Sequence, residues 1–239
     1  KGPDIFMIKN PWLSRHGDKM VPAPQSVTTA ATVEALFPTA ISQELTNSGA
    51  VYALPLYMDT YALAYNKNLF DIAGITIPPA NWLDFQDIVK KIGTGAAAIG
   101  GSDRTIKGAS DIVALLMMQS GVPMVDKDGK AKLTGGEGAL AFYAKFANPK
   151  SGYYAWDSAL PYEFERFASG ALPMLFATYH DIAELKRANP TLRVGVAPLP
   201  QAPQAPVNFA KYAALSVWVG STHPNESWQF ITDITTNPD

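Results

Sequence analysis

Helical and extended patterns alternate along the 239-residue chain, and that alternation predicts a layered α/β protein. Two observations carry the prediction. Trp82, Phe85, Ile88, Val89 and Ile92 fall at the i, i+3, i+4 spacing of one helical face, with Asn81 placed as N-cap and Gly93 as stop. In the second half, apolar runs at 172–177, 192–197 and 213–219 read as strands, and the segments 162–169, 181–188 and 224–235 around them read as helices.

Taken in order, residues 5–8 predict a short strand that enters a loop carrying Asn10, Trp12, Arg15 and His16. Residues 28–36 and 41–45 predict helices parted by Phe37-Pro38. Apolar runs at 51–56 and 61–65 flank Asp59 and Thr60, which places a polar pair where one strand gives way to the next. Such a pair between buried strands needs hydrogen-bond partners, and in a cleft a ligand can supply them. Asn66-Lys67, Ala73-Gly74 and Pro78-Pro79 mark a short helix, a turn and the approach to helix 82–92. Ser110 or Asp111 opens a helix that is apolar nearly all round and so should be buried on most sides. Thr134 and Glu137 have capping-box spacing for a helix running to Phe146. Pro161 suits a first turn and Gly170 a stop for helix 162–169, and Asn189-Pro190 ends the helix from Asp181. Four prolines within 198–206 describe a loop that cannot join a central ladder.

Composition narrows the function classes. Charged residues make up 17%, against roughly 25% in average soluble proteins. A formal net charge of -2 gives no attraction for nucleic acid or an anionic membrane, so no nucleic-acid partner is expected. With no cysteine there are no disulfides and no thiolate metal sites, which is compatible with an oxidising compartment. The longest apolar run, 112–118, is far too short to span a bilayer. The chain begins Lys-Gly-Pro-Asp without a methionine, signal peptide or lipoprotein cysteine and stops just after a helical pattern, so it is expected to be an internal piece of a longer protein.

The sequence offers little catalytic chemistry. Gly93-Thr94-Gly95-Ala96-Ala97-Ala98 fits the bare Gly-x-Gly-x-x-Ala pattern, but a helix precedes it where a nucleotide site requires a strand, so it reads as a loop. His16, His180 and His223 lie far apart with no carboxylate at ligand spacing, and no metal or other cofactor is expected. Glu163 and Glu165 sit two apart on a helix, on different faces rather than in one acid/base pair. No Gly-x-Ser-x-Gly elbow is present. The loop aromatics Tyr153, Tyr154 and Trp156, and Tyr179 with His180 after a strand, offer flat faces suited to the C–H surface of a sugar ring. A core role beneath a loop is the alternative for each.

The segment 51–85 resembles the stretch by which bacterial extracellular solute-binding proteins of ABC importers, family 1, cross from one lobe to the other. Gly2-Pro3-Asp4-Ile5-Phe6 followed by Trp12-Leu13 resembles that family's Gly-Pro-Asp-Val strand and its following aromatic. Residues 167–174 are similar to its Phe-x-x-Gly-x-x-Ala-Met passage, with Pro173 in place of the usual alanine. Residues 194–200 are similar to its Val-Gly-x-x-Pro-x-Pro strand exit, and 208–230 to its return strand and Trp/Phe helix.

The resemblance implies a periplasmic-binding-protein-like, two-lobe hinged fold of the Venus-flytrap kind, truncated at both ends. Lobe one would comprise 1–54 and 210–239, and lobe two 55–209. Strands 5–8 and 213–219 of lobe one would then be uncovered parallel strands. The implied function is the substrate-binding component of an ABC importer, which takes a sugar or oligosaccharide in an interlobe cleft and delivers it to a membrane permease. The whole protein would be a monomer, periplasmic or lipid-anchored at the cell surface, and not an enzyme. An extracytoplasmic carbohydrate-active hydrolase and a ligand-sensing receptor module are the alternatives, since fold does not fix function. By the same resemblance Trp12 lies where ligand contacts follow the first strand, and Asp59, with Thr60, where the crossover carries a ligand-binding carboxylate. Tyr179-His180 stands where many sugar binders have a stacking tryptophan, and Lys211 and Tyr212 open the return strand. With Asn10, Tyr154 and Trp156, these are the expected ligand-binding residues.

Overall fold

The computed structural model describes residues 2–10, 12–125, 130–156, 159–202 and 206–237. The first elements are β1 (Ile5–Lys9), α1 (Trp12–His16), β2 (Met20–Val21), α2 (Ala30–Leu36), α3 (Thr39–Leu45), β3 (Thr46–Asn47) and β4 (Ala50–Val51). The long strand β5 (Leu54–Asn66) leads to α4 (Lys67–Ile72), α5 (Trp82–Ile92), α6 (Ala109–Gln119), β6 (Met124–Val125), β7 (Ala131–Lys132) and α7 (Glu137–Ala144). After them come α8 (Glu163–Ala168), β8 (Met174–Thr178), α9 (Tyr179–Ala188), β9 (Val194–Ala197), β10 (Ala210–Trp218) and α10 (Pro224–Thr236). The chain divides into two compact units, Lys1–Asp59 with Ala210–Asp239, and Thr60–Phe209.

In the first unit β10 pairs antiparallel with β1, Ile5 opposite Val217, and with β2. The expectation of parallel strands at 5–8 and 213–219 is therefore corrected: the two meet each other head to tail. Ser48 and Gly49 join β3 to β4 with φ of 51° and 78°, and two positive φ values in a two-residue loop match the right-handed twist of the flanking strands. Ile8, Met20, Ile41, Leu45 and Ala214 form one buried cluster, and Val33, Leu54, Val217, Trp228 and Ile231 another. The buried Trp228 satisfies its indole N–H on the Val21 carbonyl at 3.1 Å.

In the second unit, residues of β5 pair antiparallel with β8, Leu63 opposite Phe176, and with β9, Leu63 opposite Ala197. β8 is buried along its whole length, as its run Met-Leu-Phe-Ala-Thr requires. Helix α5 lies over this core through Phe85, Ile88 and Val89 and is capped by the Asn81 side chain, as its spacing predicts. The 93–98 segment is a loop that is buried from Gly95 onward, with Gly93 and Gly95 at positive φ, and Ala97 makes an isolated parallel bridge to Met174.

Several local expectations change. The loop expected to carry Trp12, Arg15 and His16 is the helix α1. The two apolar runs around Asp59-Thr60 form one strand, β5, because its extended backbone continues through the polar pair. Thr134 is not the cap of α7: Gly135 turns the chain at φ 90°, and Gly136 holds the N-cap position before Glu137. The capping box belongs instead to Thr178 and Asp181. As a result Tyr179 and His180 lie in the first turn of α9 and not in a loop. Residues 203–205 of the proline-rich segment lie outside the described residues.

Candidate functional site

The end of β8 builds a polar face on the second unit. Thr178 Oγ1 accepts the Asp181 N–H at 3.3 Å, and Asp181 Oδ2 accepts from the Thr178 N–H at 3.0 Å and its hydroxyl at 2.9 Å. This reciprocal cap occupies one carboxylate oxygen. The other, Oδ1, accepts from the Lys107 ammonium at 2.6 Å. Burial works against both charges, but the hydrogen bond and charge of each partner outweigh it: Lys107 is held above its ordinary pKa, and Asp181, helped by Thr178, below its own. The rigid cap presents Tyr179, 77% exposed, and His180 on the opening turn, with His180 Nε2 3.5 Å from Glu184 Oε1.

A second tie fixes the segment that carries Lys107. The Lys107 N–H donates to Glu163 Oε1 at 2.8 Å, and the Glu163 N–H donates to the Thr105 carbonyl at 3.0 Å. Glu163 is 3% exposed, and its Oε2 has no hydrogen-bond partner among the described residues. Burial pushes its carboxyl up to about 7, although the Lys107 amide pulls the other way. Next along the segment, Gly108 has φ 75°, and a Cβ there would stand 2.2 Å from the Tyr61 hydroxyl oxygen. Glycine is required at that close approach. It lets Tyr61 on β5 donate to Asp111 Oδ2 at 2.8 Å, while Asn208 donates to the Tyr61 carbonyl at 2.9 Å. Burial and Asp111 both raise the Tyr61 phenol, which stays a neutral donor.

The first unit carries an apolar cavity of about 280 Å³ lined by Gly2, Pro3, Phe6, Trp12, His16, Lys19 and Trp218. Trp12 is 43% exposed and meets His16 edge to face, with ring centroids 6.0 Å apart. A wider polar hollow, about 590 Å³, has Arg15, Asp18, Glu44, Asn47 and Tyr52 among its lining residues.

Placement of the remaining expected residues is uneven. Asp59 is half-buried and Thr60 exposed, side by side on β5. Tyr154 and Lys211 are half-buried. Two aromatics expected to offer a face to ligand are core residues. Trp156 is fully buried and donates its indole N–H to Thr105 Oγ1 at 3.2 Å, so it supports the Thr105–Lys107 segment from behind. Tyr212 is 5% exposed and donates its hydroxyl to Glu44 Oε2 at 2.7 Å. The Asn10 amide is taken up by β10, donating to the Ala210 carbonyl at 2.8 Å and accepting from the Tyr212 N–H at 3.2 Å, so it extends the β1–β10 ladder. Sequence reasoning did not single out Lys107, Asp111, Tyr61 or Asp181 as site residues. Thr178-x-x-Asp181 carried a readable capping signal, whereas the other three come together only through packing.

The sequence model described as bacterial extracellular solute-binding protein matches residues 1–239. The chain belongs to that family. Among its relatives, a Brucella abortus (strain 2308) protein bearing the name of a binding protein is 27% identical over 194 residues, 77% of this chain and 46% of its own length. The chain thus spans about half the length of the curated relatives it matches. A Thermotoga lettingae ABC transporter solute-binding protein, solved with α-D-tagatose bound, superposes with a TM-score of 0.77 at 21% identity, covering 98% of this chain and 63% of that one. UgpB of Mycobacterium tuberculosis, in complex with glycerophosphocholine, gives 0.76 at 21% identity, with 100% and 61% covered. The fold is the periplasmic-binding-protein-like α/β fold of these solute-binding structures. Among the described residues, no helix is long and apolar enough to cross a membrane, and no group of three or more His, Cys, Asp or Glu residues could hold a metal ion.

Proposed function

We propose that this chain is the ligand-binding part of an ABC importer's solute-binding protein, that its solute is a sugar or oligosaccharide, and that the protein works outside the cytoplasm and hands the solute to permease subunits. The observation that carries this reading is the family match along the whole chain. The polar face of the second unit supports it, because the Lys107 ammonium, its side chain 49% exposed, is held by Asp181 two residues from the exposed Tyr179. Aromatic planes beside a few convergent polar groups are what hydroxyl-rich solutes bind. Trp12, Asp59, Thr60, Tyr154, Tyr179, His180 and Lys211 are the proposed contacts. Asn10, Trp156 and Tyr212 act as their scaffold.

Binding without turnover is part of the proposal. A hydrolase needs an acid and a base that both reach the substrate. Glu163 and Asp181 are shifted in opposite directions, as such a pair would be, but Glu163 is buried and Asp181 is committed to Lys107 and the helix cap. The test is isothermal calorimetry of the full-length protein against maltose, maltotetraose, mannotriose, D-tagatose and glycerophosphocholine. Saturable binding of one of the carbohydrates with the solute recovered unchanged is expected. Binding of glycerophosphocholine alone, or appearance of a cleaved sugar, would overturn the reading.

A further inference from the structure

Lys107 meets two carboxylates, one through its ammonium and one through its backbone amide. Asp181 Oδ1 holds the ammonium at 2.6 Å, and Glu163 already accepts the backbone N–H of the same residue at 2.8 Å through Oε1. The second Glu163 oxygen, buried with the side chain, has no partner among the described residues. A neutral carboxyl tolerates that position, but an ionised one leaves a buried charge that must draw a cation or admit water.

We infer that Glu163 is a positioning residue that sets where the Lys107 ammonium stands: neutral Glu163 leaves it on Asp181, and ionised Glu163 draws it onto Oε2. The groups facing Glu163 favour this exchange. Lys107 and Thr105 come from the segment before α6, Asp181 from α9 and Tyr143 from α7, with Tyr162 and Glu165 beside it on its own stretch. Asp181 opposes a second negative charge, and the tyrosines stay neutral. Lys107 bonds to Glu163 through its backbone amide, and its positive charge favours the ionised carboxyl. Arg166, three residues along α8 with a buried Nε that lacks a partner among the described residues, is the rival cation. Asp181 can release Lys107 without unfolding α9, because its other oxygen stays bonded to Thr178. With a carboxyl poised near 7, the exchange falls around neutral pH. Its consequence for solute binding, a change of charge arrangement beside Tyr179, rests on the function proposed above. The exchange itself does not.

The test needs no solute. In the ¹⁵N,¹³C-labelled chain, the Lys107 backbone amide and its side-chain ¹³Cε are followed by NMR from pH 5 to pH 9. Both are expected to move in one step with a midpoint near 7, and both steps should vanish in Glu163→Gln. In Arg166→Gln they should persist. A Lys107 amide that does not titrate, or a step that survives Glu163→Gln, overturns the inference. An amide step without movement of the ¹³Cε also overturns it, since the charge would then be met by Arg166 or water. The wild-type titration stands by itself if the glutamine variant does not fold.

Discussion

The Lys107 ammonium and the Asp181 carboxylate stand 2.6 Å apart, and the same carboxylate closes the capping box of α9. One side chain thus ties the segment before α6 to the start of α9 and orients the turn that carries Tyr179. The Asp181 side chain is 10% exposed and that of Lys107 49%, so the pair is only partly screened by solvent.

Asp181→Asn is expected to cost about 1–3 kcal/mol, the scale of a charge-assisted hydrogen bond with part of a cap. The pH dependence has a definite sign. Asp181 is depressed below its ordinary 3.8, so its contribution is present above that value and lost as pH falls through its folded pKa. Lys107 is raised above 10.5, so its contribution is present below that value and lost above it. Urea denaturation should therefore give a wild-type-to-variant gap that is level from about pH 4 to pH 6, where Glu163 is neutral and Lys107 stands on Asp181, and that narrows as pH falls below 4. A gap that already closes at pH 6 would remove the ion pair as its source.

Glu163 runs the other way. Its folded pKa of about 7 lies above the ordinary 4.5, so the folded chain holds a proton that the unfolded chain has lost. Its contribution is complete below 4.5 and falls as pH rises to about 7, a drop of about 3 kcal/mol by the pKa difference. Glu163→Gln should flatten stability between pH 5 and pH 8. Denaturation midpoints that keep the wild-type slope in that window would show that the carboxyl is not the titrating group.

Gly108 marks a place where backbone geometry serves the site. Alanine there must hold φ 75° and push back the Tyr61 hydroxyl, which breaks the Tyr61–Asp111 bond. A cost of about 1–3 kcal/mol follows from the strain alone. Tyr61→Phe combined with Gly108→Ala should be less than additive, because the two changes share that bond. Strict additivity in a double-mutant cycle would disconnect them.

The parts of this molecule legible in the sequence are those encoded locally. Asn81 and Gly93 bound α5, Pro224 opens α10, and the alternation of elements gave the α/β class. What was not legible depends on partners far along the chain. Trp156 sits in a glycine- and serine-rich stretch that left a ligand-facing and a core role both open, and its partner Thr105, which takes its N–H in the core, is 51 residues away. Tyr212 is hidden for the same kind of reason, through Glu44, 168 residues distant. Thr134 failed as a cap because Gly135 turned the chain before the helix could start, a conflict visible locally but not decidable from spacing. The polar face was not legible because the 107–111 stretch, Tyr61 on β5 and Asp181 on α9 come from three segments with no common motif.

Asp59 and Tyr212 divide the proposed contacts from the scaffold in a measurable way. Asp59→Asn in the full-length protein should weaken a bound sugar by about 1–3 kcal/mol. Tyr212→Phe, which removes a hydroxyl bonded to Glu44, should cost about 1 kcal/mol of stability and leave sugar affinity unchanged. If calorimetry finds the reverse order, the assignment of Tyr212 to the scaffold is wrong.

The sharpest contrast lies between Tyr179 and Trp156, two aromatics that the sequence alone treats alike. Tyr179 is 77% exposed, so Tyr179→Ala should change stability by no more than about 0.5 kcal/mol, as exposed substitutions do. If its ring stacks on a sugar, the same change should lower affinity about tenfold, near 1.4 kcal/mol, with the melting temperature of the unliganded protein unmoved. Trp156 is wholly enclosed, and Trp156→Ala should cost about 3–5 kcal/mol through the cavity it leaves. Trp156→Phe, which loses mainly the bond to Thr105, should cost about 1 kcal/mol and disturb the Thr105–Lys107 segment behind the polar face. Thermal unfolding and calorimetry on the same preparations separate the two roles. A Tyr179→Ala protein that melts normally and binds maltotetraose as tightly as wild type would remove Tyr179 from the site.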